Sequence, residues 1–317
     1  MDRSNEIIRM IRHKGRMIMV PLARIIFPPD IYCICCGSII DSTRTYSLCD
    51  SCIEKFQWIG TDVCRKCGKP LGKDDHRDLC FDCRTIMHYF DQGYTCCLYD
   101  LYARAVVMDL KYRDKSYLGR IVGDIMADRM EAEFGAANSN DGSDNYMYRM
   151  QDDMTDKEPS ILKEKYDLVI PVPVSPERME ERGYNQAAII AAVFSEKTGI
   201  VMDGEVLIRE DRKMAMKDLN AMQRRLNVKD AFSVTGHGKE LLKHPYTDCE
   251  DAGCRNDAGY HDAARAKART ILLIDDIYTT GSTVDECARV LKEAGAGSVD
   301  VLTFAAGANR VPGEKQR

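Results

Sequence analysis

The chain has 317 residues, 44% of them apolar, 30% charged and 8% aromatic. At about 150 residues per domain, that length and apolar content describe two domains with real cores, and exclude a disordered chain, a collagen-like chain or a disulfide mini-protein. With 45 Lys+Arg against 50 Asp+Glu the formal charge is −5. This excludes nucleic-acid binding through global basicity and leaves open only a local basic surface.

Residues 1–30 read as an N-terminal amphipathic segment. Its longest apolar stretch, Met17 to Phe27, is interrupted by Pro21 and Arg24, and Arg9, Arg12, Lys14 and Arg16 break up the residues before it. Neither a compact secretory h-region nor the roughly 20 uncharged residues of a membrane span results. The expectation is a cytoplasmic protein with no stable membrane span. In that reducing compartment disulfides do not persist. The 14 cysteines, eleven of them before residue 100, then call for metal or burial.

Residues 31–90 carry the clearest pattern. Cys33, Cys36, Cys49 and Cys52 are spaced C-x2-C-x12-C-x2-C, and Cys64, Cys67, Cys80 and Cys83 repeat that spacing 31 residues on, with Gly37 and Gly68 following the second cysteine of each set. Each C-x2-C knuckle turns two thiolates to one side, and two knuckles supply the four sulfurs of a closed zinc site. Segments this small bury too little apolar surface to fold alone, so the metal supplies folding energy. Two structural Zn²⁺ sites forming a double zinc ribbon are expected. Spacing favours sequential pairing of the cysteines, and a cross-brace stays open. Iron–sulfur ligation uses other spacings, and a redox C-x-x-C needs a strand–helix setting. Cys35 is a spare ligand, and Cys96 and Cys97 read as buried thiols. Between residues 33 and 83 seven Lys+Arg face eight Asp+Glu, so the ribbons suit packing or partner docking better than an electrostatic grip on DNA.

Beyond the ribbons, residues 91–310 alternate strands and helices. Residues 93–98 look extended, and helical spacing follows from Tyr99 to Leu110 and from Leu118 to Met126. A buried strand at 167–174 (DLVIPVPV) precedes a charged loop, SPERMEERGYNQ, and an Ala-rich helix near 186–197. Further strands are expected at 205–209, 270–275 and 298–304, with a helix between the last two. This is an α/β pattern: a mainly parallel sheet with helices on both faces. Residues 136–160 and 236–268 read as mobile insertions. The second contains His237, His244, Cys249, Cys254 and His261, whose spacing fits no usual metal site.

The functional centre is ILLIDDIYTTGST, residues 271–283. An apolar run forms a strand, Asp275 and Asp276 stand at its carboxyl end, and a Thr/Gly/Ser turn opens a helix. Ligands of open parallel sheets bind at that edge. Thr280, Gly281 and the amides that follow can curl round a phosphate, and the two carboxylates suit adjacent hydroxyls such as those of a ribose. A capped helix alone does not require two acids after a buried strand. It is not a Walker A loop, since no Lys follows the glycine.

DDIYTTGST closely resembles the ribose-phosphate signature of type I phosphoribosyltransferases. With the ribbons after Phe27–Pro29, LKYRDKSYLG (Leu110 to Gly119), PVPVSPERMEERGYNQA (Pro171 to Ala187) and RRLNVKDAF (Arg224 to Phe232), the chain resembles the ComF family, a group associated with natural competence and DNA uptake. The resemblance implies a type I phosphoribosyltransferase-like fold that binds Mg²⁺–phosphoribosyl pyrophosphate and transfers phosphoribosyl to an unnamed acceptor. It implies that Asp275 and Asp276 hold the ribose hydroxyls, directly or through Mg²⁺, and that Thr279, Thr280, Gly281, Ser282 and Thr283 cradle the 5′-phosphate. Pro171, Val172, Pro173 and Val174 would face pyrophosphate, Arg178 and Arg182 would neutralise it, and Gly183 and Asn185 would let their loop fold over the site. The alternative is a non-catalytic adaptor for single-stranded DNA or competence proteins, with a regulatory nucleotide pocket and the basic run Arg209 to Lys229 as its contact surface.

Overall fold

In a computed structural model of the chain, the described residues are 31–41, 43–71, 78–112, 115–138, 160–210, 228–243 and 268–308. The amphipathic segment 1–30, most of both insertions (with Cys249 and Cys254), and residues 211–227 of the basic run lie outside them. The chain separates after Lys55 into two compact units, Met1–Lys55 and Phe56–Arg317.

In the first unit the knuckle Cys33–Cys36 closes with Gly37 N–H donating to Cys33 O and Cys33 N–H to Ser38 O, both at 2.8 Å. Gly37 has φ +74°, a conformation open to glycine without penalty. The second knuckle leads into helix α1, Asp50–Lys55. The second unit repeats this construction: Gly68 N–H donates to Cys64 O and Cys64 N–H to Lys69 O at the same 2.8 Å, Gly68 has φ +71°, and the second knuckle enters α2, Phe81–Thr85. The 31-residue sequence repeat is therefore a repeat of backbone geometry.

The rest of the second unit is an α/β layer. Its elements are β1 (Gly93–Leu98), α3 (Leu101–Tyr112), α4 (Leu118–Asn138), α5 (Leu162–Lys165), β2 (Leu168–Pro171), α6 (Pro176–Arg182), α7 (Gln186–Thr198), β3 (Leu207–Arg209), β4 (Phe232–Val234), α8 (Gly236–Lys243), β5 (Thr270–Tyr278), α9 (Ser282–Glu293) and β6 (Ser298–Ala306). β1, β6, β5 and β2 form one sheet in that order, and every pairing in it is parallel. β3 and β4 form a separate antiparallel pair. Alternation along β5 sorts its side chains: Ile271 and Leu273 join a buried cluster with Val284, Cys287, Ala288 and Leu291 of α9, so Leu272 and Ile274 point to the other face. α7 packs on β2 and β5 and also against α4. The sheet is thus covered on both faces, as parallel strands require.

Two segments differ from their sequence reading. SPERMEERGYNQ is not a loop: Pro176–Arg182 is helical, with the Ser175 side chain accepting from Arg178 N–H, Pro176 in the first turn and Gly183 as a left-handed cap. The start and stop signals are all present, but a seven-residue helix shows no apolar stripe to announce it. Gly236–Lys243, at the head of the second insertion, is also helical, with Leu242 buried. Among the described residues no helix is long and apolar enough to cross a membrane.

Candidate functional site

The eight predicted cysteine ligands gather into two groups, Cys33, Cys36, Cys49, Cys52 and Cys64, Cys67, Cys80, Cys83, the ligand atoms of each lying within 4.8 Å of one another. The pairing is sequential, which closes the cross-brace alternative. The sulfurs fit zinc: the Cys36–Cys49 and Cys67–Cys80 Sγ separations are 3.7 Å and 3.6 Å, against an edge of about 3.8 Å for a tetrahedron with ~2.3 Å Zn–S bonds. Hydrogen bonding to Ser38 holds the Cys36 thiol down to about 6, favouring the thiolate a metal takes. The clusters differ in cover. Cys36 is exposed and Cys49 half-buried in the first, whereas Cys64, Cys67 and Cys80 are all buried in the second.

The second candidate centre lies at the carboxyl edge of the sheet. Pro171 pairs with Ile274, and Val172 N–H donates to Ile274 O at 2.9 Å. There β2 ends, while β5 runs four residues further to Tyr278. The turn Val172–Pro173–Val174 therefore sits beside Asp275 and Asp276. The strand's alternation separates these acids. Asp276 is 3% exposed and ion-paired with Lys111 from the end of α3. Burial pushes its carboxyl upward, but the charge of Lys111 and hydrogen bonds from Asp275, Lys111 and Gln186 outweigh it and hold the group below the usual carboxylate range. Asp275 is half-buried, and its Oδ1 accepts Asp276 N–H at 2.8 Å. Burial, then the neighbouring Asp276 charge, raise its carboxyl well above the ordinary value. One acid is thus committed to an internal cation, and the other retains accessible surface.

After Tyr278 the chain turns into α9 through Thr279, which is exposed, Thr280, half-buried, and Gly281, at φ +74°. A side chain at Gly281 would collide with the Tyr278 hydroxyl, so both backbone hand and space demand glycine here. The Thr280 and Ser282 hydroxyls are 2.8 Å apart, and Thr283 lies half-buried in the first turn. The free amides and dipole of this helix start form an anion-attracting corner.

The arginines expected near pyrophosphate separate. Arg178 is half-buried on α6. Arg182 is 7% exposed, donates to Gln186 Oε1 and to the Tyr112 hydroxyl, both at 3.1 Å, and has its guanidinium 4.8 Å from the Tyr112 ring centre. Asn185 caps α7 and donates to Val172 O at 3.1 Å, while Tyr184 OH donates to Leu110 O. This network ties the α6–α7 turn to the β2 turn and to the end of α3. Sequence reasoning assigned no role to Lys111, Tyr112, Tyr184 or Gln186. All four lie within LKYRDKSYLG and RGYNQA, but the ion pair and the Arg182 stack exist only once α3, β5 and α7 are assembled.

The double zinc ribbon domain family matches residues 22–84. Among curated proteins the chain is similar to Competence protein F of Haemophilus influenzae, 29% identical over 139 residues, covering 44% of this chain and 50% of that one. It is similar to the DNA utilization protein YhgH of Escherichia coli O157:H7, 29% over 135 residues, 43% and 47% covered. It is also similar to Competence protein ComFC of Bacillus subtilis, 23% over 285 residues, 86% and 94% covered. The match spans about half the length of the first two and nearly all of the third. Ribbon and sheet together define a double zinc ribbon protein carrying a parallel α/β domain. The ribbon match and the likeness to these relatives support the resemblance to the ComF family.

Proposed function

We propose that the chain binds Mg²⁺–phosphoribosyl pyrophosphate at the carboxyl edge of β5, transfers phosphoribosyl to an acceptor, and serves competence or DNA uptake, as the names of its relatives suggest. One observation carries this reading: an acid with accessible surface, Asp275, stands at a strand end beside a glycine-hinged helix start, Thr279–Thr283, and opposite the Pro171–Val174 turn. The chemistry of the donors fits the ligand. A half-buried carboxylate offers the hard oxygen that Mg²⁺ or a ribose hydroxyl takes, and amides with hydroxyls at a helix N-terminus suit a phosphate.

In this reading the Mg²⁺ supplies charge neutralisation for a departing pyrophosphate. Asp275 orients the sugar hydroxyls, and the Thr280, Ser282 and Thr283 hydroxyls with the Gly281–Thr283 amides hold the 5′-phosphate. Asp276 positions Lys111, whose ammonium adds positive charge at the same edge. Arg182 braces Tyr112 and the α6–α7 turn from within, and Arg178 is the arginine left to meet pyrophosphate. The zinc clusters are structural.

Calorimetric titration with Mg²⁺–phosphoribosyl pyrophosphate tests the reading. Asp275→Asn should weaken binding at least about tenfold, the loss expected when a hydrogen-bonded charge is removed; undiminished affinity refutes it. Pyrophosphate release on adding acceptor bases separates an enzyme from the adaptor reading, in which the ligand binds without turnover.

A further inference from the structure

The second ribbon is built into the wall behind the β5–α9 turn. Cys64, Cys67 and Cys80 belong to the same buried cluster as Phe90, Tyr278, Val284, Cys287 and Ala288. Gly93 N–H donates to Lys66 O at 2.8 Å. A side chain at Gly68 would lie 2.5 Å from Gly93 O, and one at Gly93 would lie 2.9 Å from Cys67 O. Backbone meets backbone here, so the ribbon cannot shift without moving the start of β1.

From this platform two contacts reach the residues that bracket the turn. On one side, Lys69, 3% exposed and paired with Asp82 at 3.1 Å, holds its ammonium 5.2 Å from the Tyr278 ring centre; Phe90 packs edge-on to the same ring at 6.2 Å. The Tyr278 hydroxyl in turn abuts Gly281. On the other side, Tyr89 N–H donates to Asp285 Oδ1 at 2.6 Å, and His88 Nδ1 lies 3.5 Å from the same oxygen. Asp285 N–H donates to Gly281 O at 2.8 Å, the bond that starts α9. Both ends of the segment 279–284 are therefore fixed to the second ribbon and the segment that follows it.

We infer that the second zinc cluster is a brace for the anion-binding turn: metal at Cys64, Cys67, Cys80 and Cys83 holds Tyr278 and Asp285, and through them the conformation of Thr279–Val284. The assignment of a phosphate to that turn rests on the proposed function; the brace itself does not. Tyr278, His88 and Asp285 are positioning residues. The first cluster belongs to the other compact unit and is assigned no such part.

The test uses the full chain, stripped of zinc stepwise by a chelator, with alkylation of the freed thiols showing which cluster has emptied. Hydrogen–deuterium exchange is followed in the 285–288 amides, the first of α9 that donate within the helix. These should stay protected when the first cluster empties and exchange at least about tenfold faster when the second does, the signature of local opening rather than global unfolding. Asp285→Ala, which leaves all eight sulfurs and both metals in place, should accelerate exchange at the same amides and weaken Mg²⁺–phosphoribosyl pyrophosphate binding about tenfold. If emptying the second cluster unfolds the whole unit, Asp285→Ala decides alone. Protection that persists in Asp285→Ala, or that is lost in step with the first cluster, overturns the brace. Failure of the intact protein to bind Mg²⁺–phosphoribosyl pyrophosphate removes the proposed function instead, and leaves the exchange comparison standing.

Discussion

Lys111→Met isolates the buried charge pair at the sheet edge. The substitution keeps most of the side-chain volume and removes the cation that faces Asp276. The Asp276 side chain is 4% exposed and that of Lys111 17%, so the carboxylate stays buried with Asp275 and Gln186 as its remaining polar neighbours. Removing one partner of a buried pair costs about 3–5 kcal/mol, and the partial exposure of Lys111 places this case near 3 kcal/mol. In the intact protein the lowered Asp276 carboxyl stabilises the fold above its unfolded value near ~3.9, and that contribution is lost as pH falls through the folded value. In Lys111→Met, burial is opposed only by the hydrogen bonds of Asp275 and Gln186 and raises the group, so the penalty is felt at neutral pH and eases on acidification. Urea unfolding followed through Trp58, the chain's single tryptophan, gives the measurement. A double-mutant cycle with Asp276→Asn at pH 7 should return a coupling of about 2–3 kcal/mol. Coupling below about 0.5 kcal/mol, the scale of an exposed pair, would show that the two groups do not share a dry environment.

Zinc analysis should return about two ions per chain, and a chelator should release them in two phases, the first from the cluster containing exposed Cys36; a single phase, or earlier loss from Cys64–Cys83, contradicts the difference in cover. Gly281→Ala forces a left-handed residue against the Tyr278 hydroxyl and should cost at least about 1–2 kcal/mol, read in a thermal melt as a drop of roughly 2–8 °C. Because the Asp275 carboxyl is held above its ordinary value, a cation that needs it ionised must displace a proton. Affinity for Mg²⁺–phosphoribosyl pyrophosphate should then rise with pH from the usual carboxylate range up to that raised value. Calorimetry in buffers of different ionisation heat detects the released proton, and a buffer-independent heat speaks against Asp275 as the binding acid.

The sequence announced most clearly what covalent geometry dictates. Four thiolates must converge on one ion, so their spacing survives as a countable pattern, and the glycine after each knuckle is demanded by a turn only a few residues long. The strands at β1, β5 and β6 were legible because both their faces are buried and their apolar runs are nearly unbroken. Helix α6 was missed although Ser175, Pro176 and Gly183 mark its ends, because apolar periodicity is the stronger guide and α6 has none. The site was half legible. ILLIDDIYTTGST showed the acids and the turn together, but not that adjacent residues of a strand face opposite ways, which hands Asp276 to Lys111 and leaves Asp275 outward. The contact of His88 and Tyr89 with Asp285 spans nearly two hundred residues and depends on tertiary assembly, so no local pattern carries it.

The strand order has a further consequence for how the chain comes to be made. β1 pairs with β6, and β6 also pairs with β5, so the strand inserted in the middle is one that leaves the ribosome about two hundred residues after its first neighbour. At about 5–20 residues per second, GYTCCL would wait some 10–40 s with its parallel partner unsynthesised. During that interval a strand built for burial on both faces needs shelter, from the Gln57–Ile59 segment that bonds to its other edge or from a chaperone. Any nascent chain cut short before Ser298 lacks the keystone of its sheet and is a ready seed for aggregation.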